Sequence, residues 1–428
     1  MQPALAAACV TACGATAVTT PVVLAAMRRL AAIDEVTARS SHRAPTVRGG
    51  GVAVVLGLFA GVLTAVLVAE HGGPNLLPFT AATTLFGLIG LAEDVGGVTA
   101  MRRLALHVAA AFVITAMTVL AAVLGDPTPD LAAVLAVTVC APLWITGFVN
   151  VFNFMDGING ISGMSAALAG GTLAALGALR DAPAVSAGGI LVAATALGFL
   201  PYNFPRARIF LGDVGSYTLG AVIAMLTTQA VLVGVPLEAA LSPSALYLAD
   251  TSVTLLRRVR AGEPWHTAHR SHAYQRLTIA GWTHPQVTGL VAGVSTVVVA
   301  LSLASFGPWP GRLAGDLAAA LVLTGYLRLP HRVVLATGTA PTTPSSAASS
   351  TATPPAATPS AATPSPTLPT QRVAPSSSPS PSTDTTAGVS ASVSGNTSEA
   401  TSGNTSGGTS GSPAASTSAG RTSGRGAS

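Results

Sequence analysis

The chain has 428 residues, half of them hydrophobic and only 9% charged, with a formal net charge of +5. A mean hydropathy of +0.59, lowered by a polar C-terminal tail, excludes a soluble globular domain. All 21 basic residues are arginines, and their gathering in short connections between apolar runs excludes a nucleic-acid footprint as the source of the charge.

Crossing ~30 Å of hydrocarbon takes about 20 helical residues. In chain order, apolar runs of about that length fall at 3–27, 50–70, 76–92, 104–124, 131–149, 161–179, 184–201, 214–234, 238–256, 285–306 and 312–329. The expectation is an all-α polytopic membrane protein with about 10–11 transmembrane helices. The first run has no early basic region, so it reads as a retained helix rather than a cleaved leader. Cys9, Cys13 and Cys140 lie within spans at no metal-ligand spacing and read as small lipid-facing or packing residues.

Arginines crowd the connections that join an odd-numbered span to the next even one, whereas the opposite side holds only Arg180 and Arg312. The positive-inside rule makes the Arg-rich side cytoplasmic, with the N-terminus outside and the end of the last span inside. From about Thr337 onward the composition turns to Ser, Thr, Pro, Ala and Gly. Such a segment buries too little apolar area to offset chain ordering, so the expected organisation is a membrane domain at 1–336 and a disordered cytoplasmic tail at 337–428. The NTS triplets at Asn396 and Asn404 carry little weight as glycosylation sites on that side.

The connections on the basic side hold nearly all the chemistry. The first reads RSSHRAPTVRGGG, where His42, Arg43 and Arg48 offer cationic or donor groups beside an irregular backbone that suits a phosphate. The second contains LAEDVGG, whose adjacent Glu93 and Asp94 are costly to desolvate at a membrane edge unless water, a cation or an arginine attends them. Arg102 and Arg103 are the nearby arginines.

The third, GFVNVFNFMDGINGISG, sets Asn150, Asn153, Asp156 and Asn159 three residues apart with glycines behind. On a helix or tight helical turn these form one sloping polar stripe, read either as a binding surface or as an interhelical seam or plain connecting loop. The fourth, LPYNFPRARIFLGDVGSYTLG, places Asp213 between glycines just before an apolar span, beside a helix N-terminus that favours phosphate. Phe210 could offer a ring face to a base. The fifth includes EPWHTAHRSHAYQRL, with His269, Arg270 and His272. It has neither HExxH nor a Cys partner, so donors for a pyrophosphate fit better than a zinc site. Five such connections on one membrane face point to a shared cytoplasmic site.

Those five motifs, in this order and parity, resemble the polyprenyl-phosphate N-acetylhexosamine-1-phosphate transferase superfamily over about residues 1–330. The resemblance implies a Mg²⁺-dependent transfer, with Mn²⁺ as an alternative cation, of an N-acetylhexosamine-1-phosphate from a UDP-sugar to a polyprenyl phosphate, releasing UMP. Carried over by motif, Asp94 and Glu93 take the catalytic, lipid-phosphate end, and Asp213 and Asp156 the metal. Asn150, Asn153, Asn159, Asn203, Phe210, His42, Arg48, His269, Arg270 and His272 line the substrate. The bilayer is the remaining partner, a homodimer is compatible with the class, and nucleic acid is not expected.

Two positions depart from the family pattern. Glu93 stands where an Asp is usual, and Asn159 where a second Asp is frequent. The loop HRSHAYQRL in place of a three-His run is similar to the branch acting on smaller amino sugars in O-antigen or related glycans, rather than to the pentapeptide translocases. The rival class is a transporter or flippase; such proteins place ionisable groups near the bilayer midplane, whereas Asp250 lies near the cytoplasmic end of its span. An inactive relative is the third reading.

Overall fold

The computed structural model describes residues 3–30, 33–34, 45–69, 75–125, 129–263 and 269–337. The expected tail and His42 lie outside them.

In chain order the elements are helix α1 (Pro3–Arg29), strands β1 (Ile33–Asp34) and β2 (Thr46–Val47), and helices α2 (Gly51–Val68), α3 (Leu77–Gly96), α4 (Ala100–Val123), α5 (Leu131–Met155), α6 (Ile161–Leu179), α7 (Pro183–Asn203) and α8 (Gly212–Leu232). There follow α9 (Leu237–Leu241), α10 (Ala245–Arg260), α11 (Ala273–Ile279), α12 (His284–Ser302) and α13 (Trp309–Thr337). Helix stands at every expected span. Among the described residues nine helices are long and apolar enough to cross a membrane, and the chain is an all-α polytopic membrane protein.

Two expected spans depart from that criterion for different reasons. α3 runs 20 residues but ends on Glu93 and Asp94, which lower its hydropathy. The run expected at 238–256 is not one helix: Pro243, which cannot donate within a helix, sits in a 3₁₀ turn at Ser242–Ser244 between α9 and α10. α10 is 16 residues long and finishes on Arg257, Arg258 and Arg260.

α8 is the axis of the bundle. Of its most apolar window 89% is buried inside the protein, against 17% for α13. Its Gly, Ser, Thr and Ala content lets α3 and α5 pack closely on either side, while α1 pairs with α2 and α6 with α7. Apolar side chains on the outer helices, such as Leu63, Leu135 and Leu143, are exposed, as lipid contact requires.

A small non-helical seam was not anticipated. β1 and β2 pair antiparallel, Ile33 with Val47 and Asp34 with Thr46. Val47 also bridges to Ile209, and the Phe210 amide donates to the Val47 carbonyl at 2.8 Å. The first and fourth connections are thereby joined through backbone.

The polar row at 150–159 does not form a single stripe. α5 carries Asn150 and Asn153 on its last turns and ends at Met155; Asp156 and Asn159 then lie in a loop before α6.

Candidate active site

The C-terminal ends of α3, α5 and α7 meet the N-terminal ends of α2, α4 and α8. α3 reaches α8 through Gly90, where a Cβ would come within 2.4 Å of the Asp213 carbonyl oxygen. Only glycine permits that approach, which brings the acid pair beside Asp213. Gly212 opens α8 with a φ of +73°, and a Cβ there would meet an Asp94 carboxylate oxygen at 2.7 Å. A side chain at position 212 would therefore be strained in backbone and would push Asp94 away.

The adjacent acids have different surroundings. Glu93 is engaged on both oxygens: the Val98 amide donates to one at 2.8 Å and Arg103 pairs with the other at 3.0 Å. Its extra methylene reaches around the tight α3–α4 turn to do so. Asp94 accepts from the Val214 amide at the start of α8 at 3.0 Å through Oδ2. Its Oδ1 is buried with no hydrogen-bond donor, and the Arg48 Nε stands 3.9 Å away. Arg48 in turn donates to the Asp94 backbone carbonyl at 3.2 Å, tying the first connection to the second.

Asp213 accepts from the Asn153 amide at 2.7 Å, and the same nitrogen lies 2.9 Å from the Ser216 hydroxyl. Asp156 completes the group from the end of α5. Burial pushes its carboxyl up to about 7; the Ser162 hydroxyl opposes that shift, while the negative charges of Asp213 and Asp94 add to it. Three carboxylates thus act on one another through their charge, with half-exposed Arg48 at their edge and Arg103 also opposing the negative charge at Asp213, a distribution that favours a cation.

Among the described residues no three His, Cys, Asp or Glu side chains converge as a preformed cage. A hard divalent ion of the Mg²⁺ type does not need one: it is held by one or two carboxylates, waters and substrate phosphate oxygens. The donor-free Oδ1 of Asp94 and the mutual repulsion around Asp156 suit that mode.

Two of the expected substrate residues are latches. Asn203 is buried; it accepts from the Gly160 amide at 2.7 Å and donates to the Ile209 carbonyl at 2.9 Å, clamping the α5–α6 loop to the α7–α8 loop. The Asn159 side chain donates to the Pro205 carbonyl at 3.1 Å, and Thr288 of α12 donates to its backbone carbonyl at 2.8 Å. Aspartate could accept but not donate to a carbonyl, so this contact requires the amide. Asn150 lies one turn deeper than Asn153 and donates into its own helix and toward His107. Phe210 is half-buried, its backbone engaged with Val47 and Gly50.

The histidine loop is built on Asp250, a completely buried acid. It accepts from the amides of Ala273 at 2.8 Å and Tyr274 at 3.3 Å, the first turn of α11. Tyr326 of α13 donates to it at 2.8 Å, and His272 Nδ1 stands 3.4 Å away. The Tyr274 hydroxyl then reaches the Phe154 carbonyl at 3.0 Å, holding the loop against the end of α5. His272 is buried and stacks on Tyr274; half-buried His269 lies beside it, centroids 5.0 Å apart. Burial pushes His269 down to about 4, with His272 and Arg258 acting in the same direction and Asp250 opposing. His269 is therefore not a source of positive charge for this loop at neutral pH. No spacing rule in the sequence links position 250 to 272; only the packing of α10, α11 and α13 reveals it.

A family model described as glycosyl transferase family 4 matches residues 76–231, which include Glu93, Asp94, Asn153, Asp156 and Asp213. The chain is similar to a decaprenyl-phosphate N-acetylglucosaminephosphotransferase of Mycobacterium leprae, 32% identical over 310 residues, covering 61% of this chain and 74% of the relative. It is similar to a probable undecaprenyl-phosphate N-acetylglucosaminyl 1-phosphate transferase of Bacillus subtilis, 25% identical, covering 65% and 80%. A phospho-N-acetylmuramoyl-pentapeptide-transferase of Symbiobacterium thermophilum is 32% identical, covering 69% and 92%.

Proposed function

The chain belongs to glycosyl transferase family 4, and from that premise we propose that it transfers N-acetylglucosamine-1-phosphate from a UDP-sugar to a polyprenyl phosphate. An oxygen of the lipid phosphate forms a bond to the β-phosphorus of the nucleotide sugar, and the β-phosphorus bond to the bridging oxygen breaks. The products are a polyprenyl-diphosphate-sugar and UMP. The site faces the cytoplasm, by the arginine distribution.

The observation that carries this reading is the group Asp94, Asp156 and Asp213, surplus in negative charge at the mouth of an apolar bundle. Phosphoryl transfer is chiefly positioning plus electrostatic stabilisation. Two anionic substrates do not meet in such a place without a cation, and Asp213 and Asp156 would hold one. A bound Mg²⁺ would supply charge neutralisation for the diphosphate. Asp94, anchored by the Val214 amide, leaves its acceptor-only Oδ1 to the cation that would draw in the lipid phosphate, whose second pKa near ~6 makes it largely dianionic at neutral pH without a general base. Arg48 and Arg270 supply fixed positive charge from the two flanks. Glu93 holds Arg103 and the α3–α4 turn, so the longer side chain serves the frame of the site.

The muramoyl-pentapeptide reading is the weaker one, because relatives named as N-acetylglucosamine phosphotransferases accompany a fifth connection of the type seen for small amino sugars. The test is UMP release by the purified protein from a panel of UDP-sugars, with the lipid product identified by mass. UDP-N-acetylglucosamine is expected to react only with polyprenyl phosphate and Mg²⁺ both present. No UMP from any sugar of the panel would sink the reading.

A further inference from the structure

Four helices that end in the site each carry a second residue one or two turns deeper, and these four meet. α3 bears Phe86 seven residues before Glu93; α4 bears His107 four after Arg103; α5 bears Asn150 three before Asn153; α8 bears Tyr217 four after Asp213. At helical spacing each deeper residue lies on the same face as its partner above. His107 is at the centre, completely buried. Its ring lies 5.3 Å from Phe86 and 4.7 Å from Tyr217, edge-on to the latter, and its Nδ1 is 3.3 Å from the Asn150 side-chain nitrogen.

The protonation pattern of this layer is determined by a third contact. The same Asn150 nitrogen is 2.8 Å from the Thr146 carbonyl oxygen, so the atom there is the NH₂ and not the amide oxygen. It can only donate to His107, whose Nδ1 must be the acceptor. The ring is then neutral with its proton on Nε2, a buried atom that has no hydrogen-bond partner among the described residues. No apolar residue of similar size could accept from Asn150, so packing alone does not account for a histidine at this depth.

We propose that His107 is a positioning residue of the transferase site: it accepts from Asn150 and wedges between Phe86 and Tyr217, so that Asn153 and Asp213 keep the 2.7 Å contact above it. This inference rests on the transferase reading for its catalytic consequence. Its structural consequence stands separately. Misplacement of a positioned group by about 1 Å costs up to ~100-fold in rate, and a layer directly beneath Asp213 controls such a displacement.

The experiment uses two variants of the full chain in detergent. H107F keeps an aromatic ring between Phe86 and Tyr217 but offers no acceptor to Asn150; H107Q restores an acceptor. H107F is expected to keep its thermal midpoint within a few degrees and its KM for UDP-N-acetylglucosamine within about twofold, while kcat falls about tenfold; H107Q recovers most of that loss. Amide exchange over 150–156 and 212–217 should rise in H107F and return in H107Q. Unchanged exchange in H107F overturns the proposal whatever the turnover, as does H107Q no better than H107F. A wild-type protein releasing no UMP would instead overturn the transferase reading, and exchange would still decide the role of His107.

Discussion

A fully buried acid and a group of partly buried ones lie at the same end of this bundle and differ in how their charge is met. Asp250 receives two backbone amides and the Tyr326 hydroxyl, with Thr254 and His272 alongside. Asp94, Asp156 and Asp213 share fewer donors, leave a buried oxygen of Asp94 without one, and act on one another through their charge. A carboxylate whose lone pairs are all answered by the fold is a structural tie, whereas carboxylates left short of donors are answered by something that arrives from outside. Hydrogen-bond satisfaction therefore separates the two classes of acid more sharply than burial does.

Substitutions should divide along that line. The largest effect is expected at Asp213: Asp213→Asn should lower UMP release by about 10³-fold, with abundance and thermal midpoint preserved. Near-normal turnover would remove Asp213 from the site. Asp250→Ala should do the reverse in kind, lowering stability by about 2–4 kcal/mol because the Ala273 and Tyr274 amides lose their acceptor. A melting curve matching that of the wild type would show that α11 is held by other contacts.

Asp156 provides a pH-dependent version of the same contrast. Its carboxyl titrates at about 7 in the folded chain against 3.8 ordinarily, so the native protein binds the extra proton between those values. Stability consequently declines as pH rises through that window. With divalent cations chelated, Asp156→Asn should melt higher than the wild type at pH 8, and the gap should close toward pH 4. A gap independent of pH would contradict the burial and the Asp213 and Asp94 charges as its cause. A smaller effect is expected at Asn159. Asn159→Asp restores the acid frequent in the family but sets a carboxylate against the Pro205 carbonyl, so turnover should fall by about threefold. Higher turnover than wild type would show that position 159 faces substrate rather than Pro205. Deletion after Thr337 should leave UMP release unchanged, and a large loss would assign the tail a part in turnover.

Much of the site was legible because it is local. Asp213 among glycines, Glu93 beside Asp94, and Asn153 three before Asp156 carry their chemistry in spacing that survives without coordinates. Other assignments failed to separate for the same reason: Asn150, Asn153, Asn159 and Asn203 read alike as amides on the basic side. In the fold only Asn153 touches Asp213, Asn203 and Asn159 clamp loops, and Asn150 turns inward to His107. His107 itself sits in an apolar run with no motif around it, and nothing local marks it.

The sequence by itself determined that this chain lives in a membrane, where its helices run, and which connections share a face. Those properties follow from hydropathy over a window and from arginine parity, both sums over neighbouring residues. Tertiary structure decided which polar groups are answered by the protein and which are left over, because satisfaction depends on partners far apart in the chain. Gly90 against Asp213, Asp250 beneath the amides of α11, and His107 between α3, α5 and α8 are contacts of that kind. They convert a list of acids and amides on one face into a frame with three mutually repelling carboxylates at its mouth, one oxygen of which, Asp94 Oδ1, has no donor.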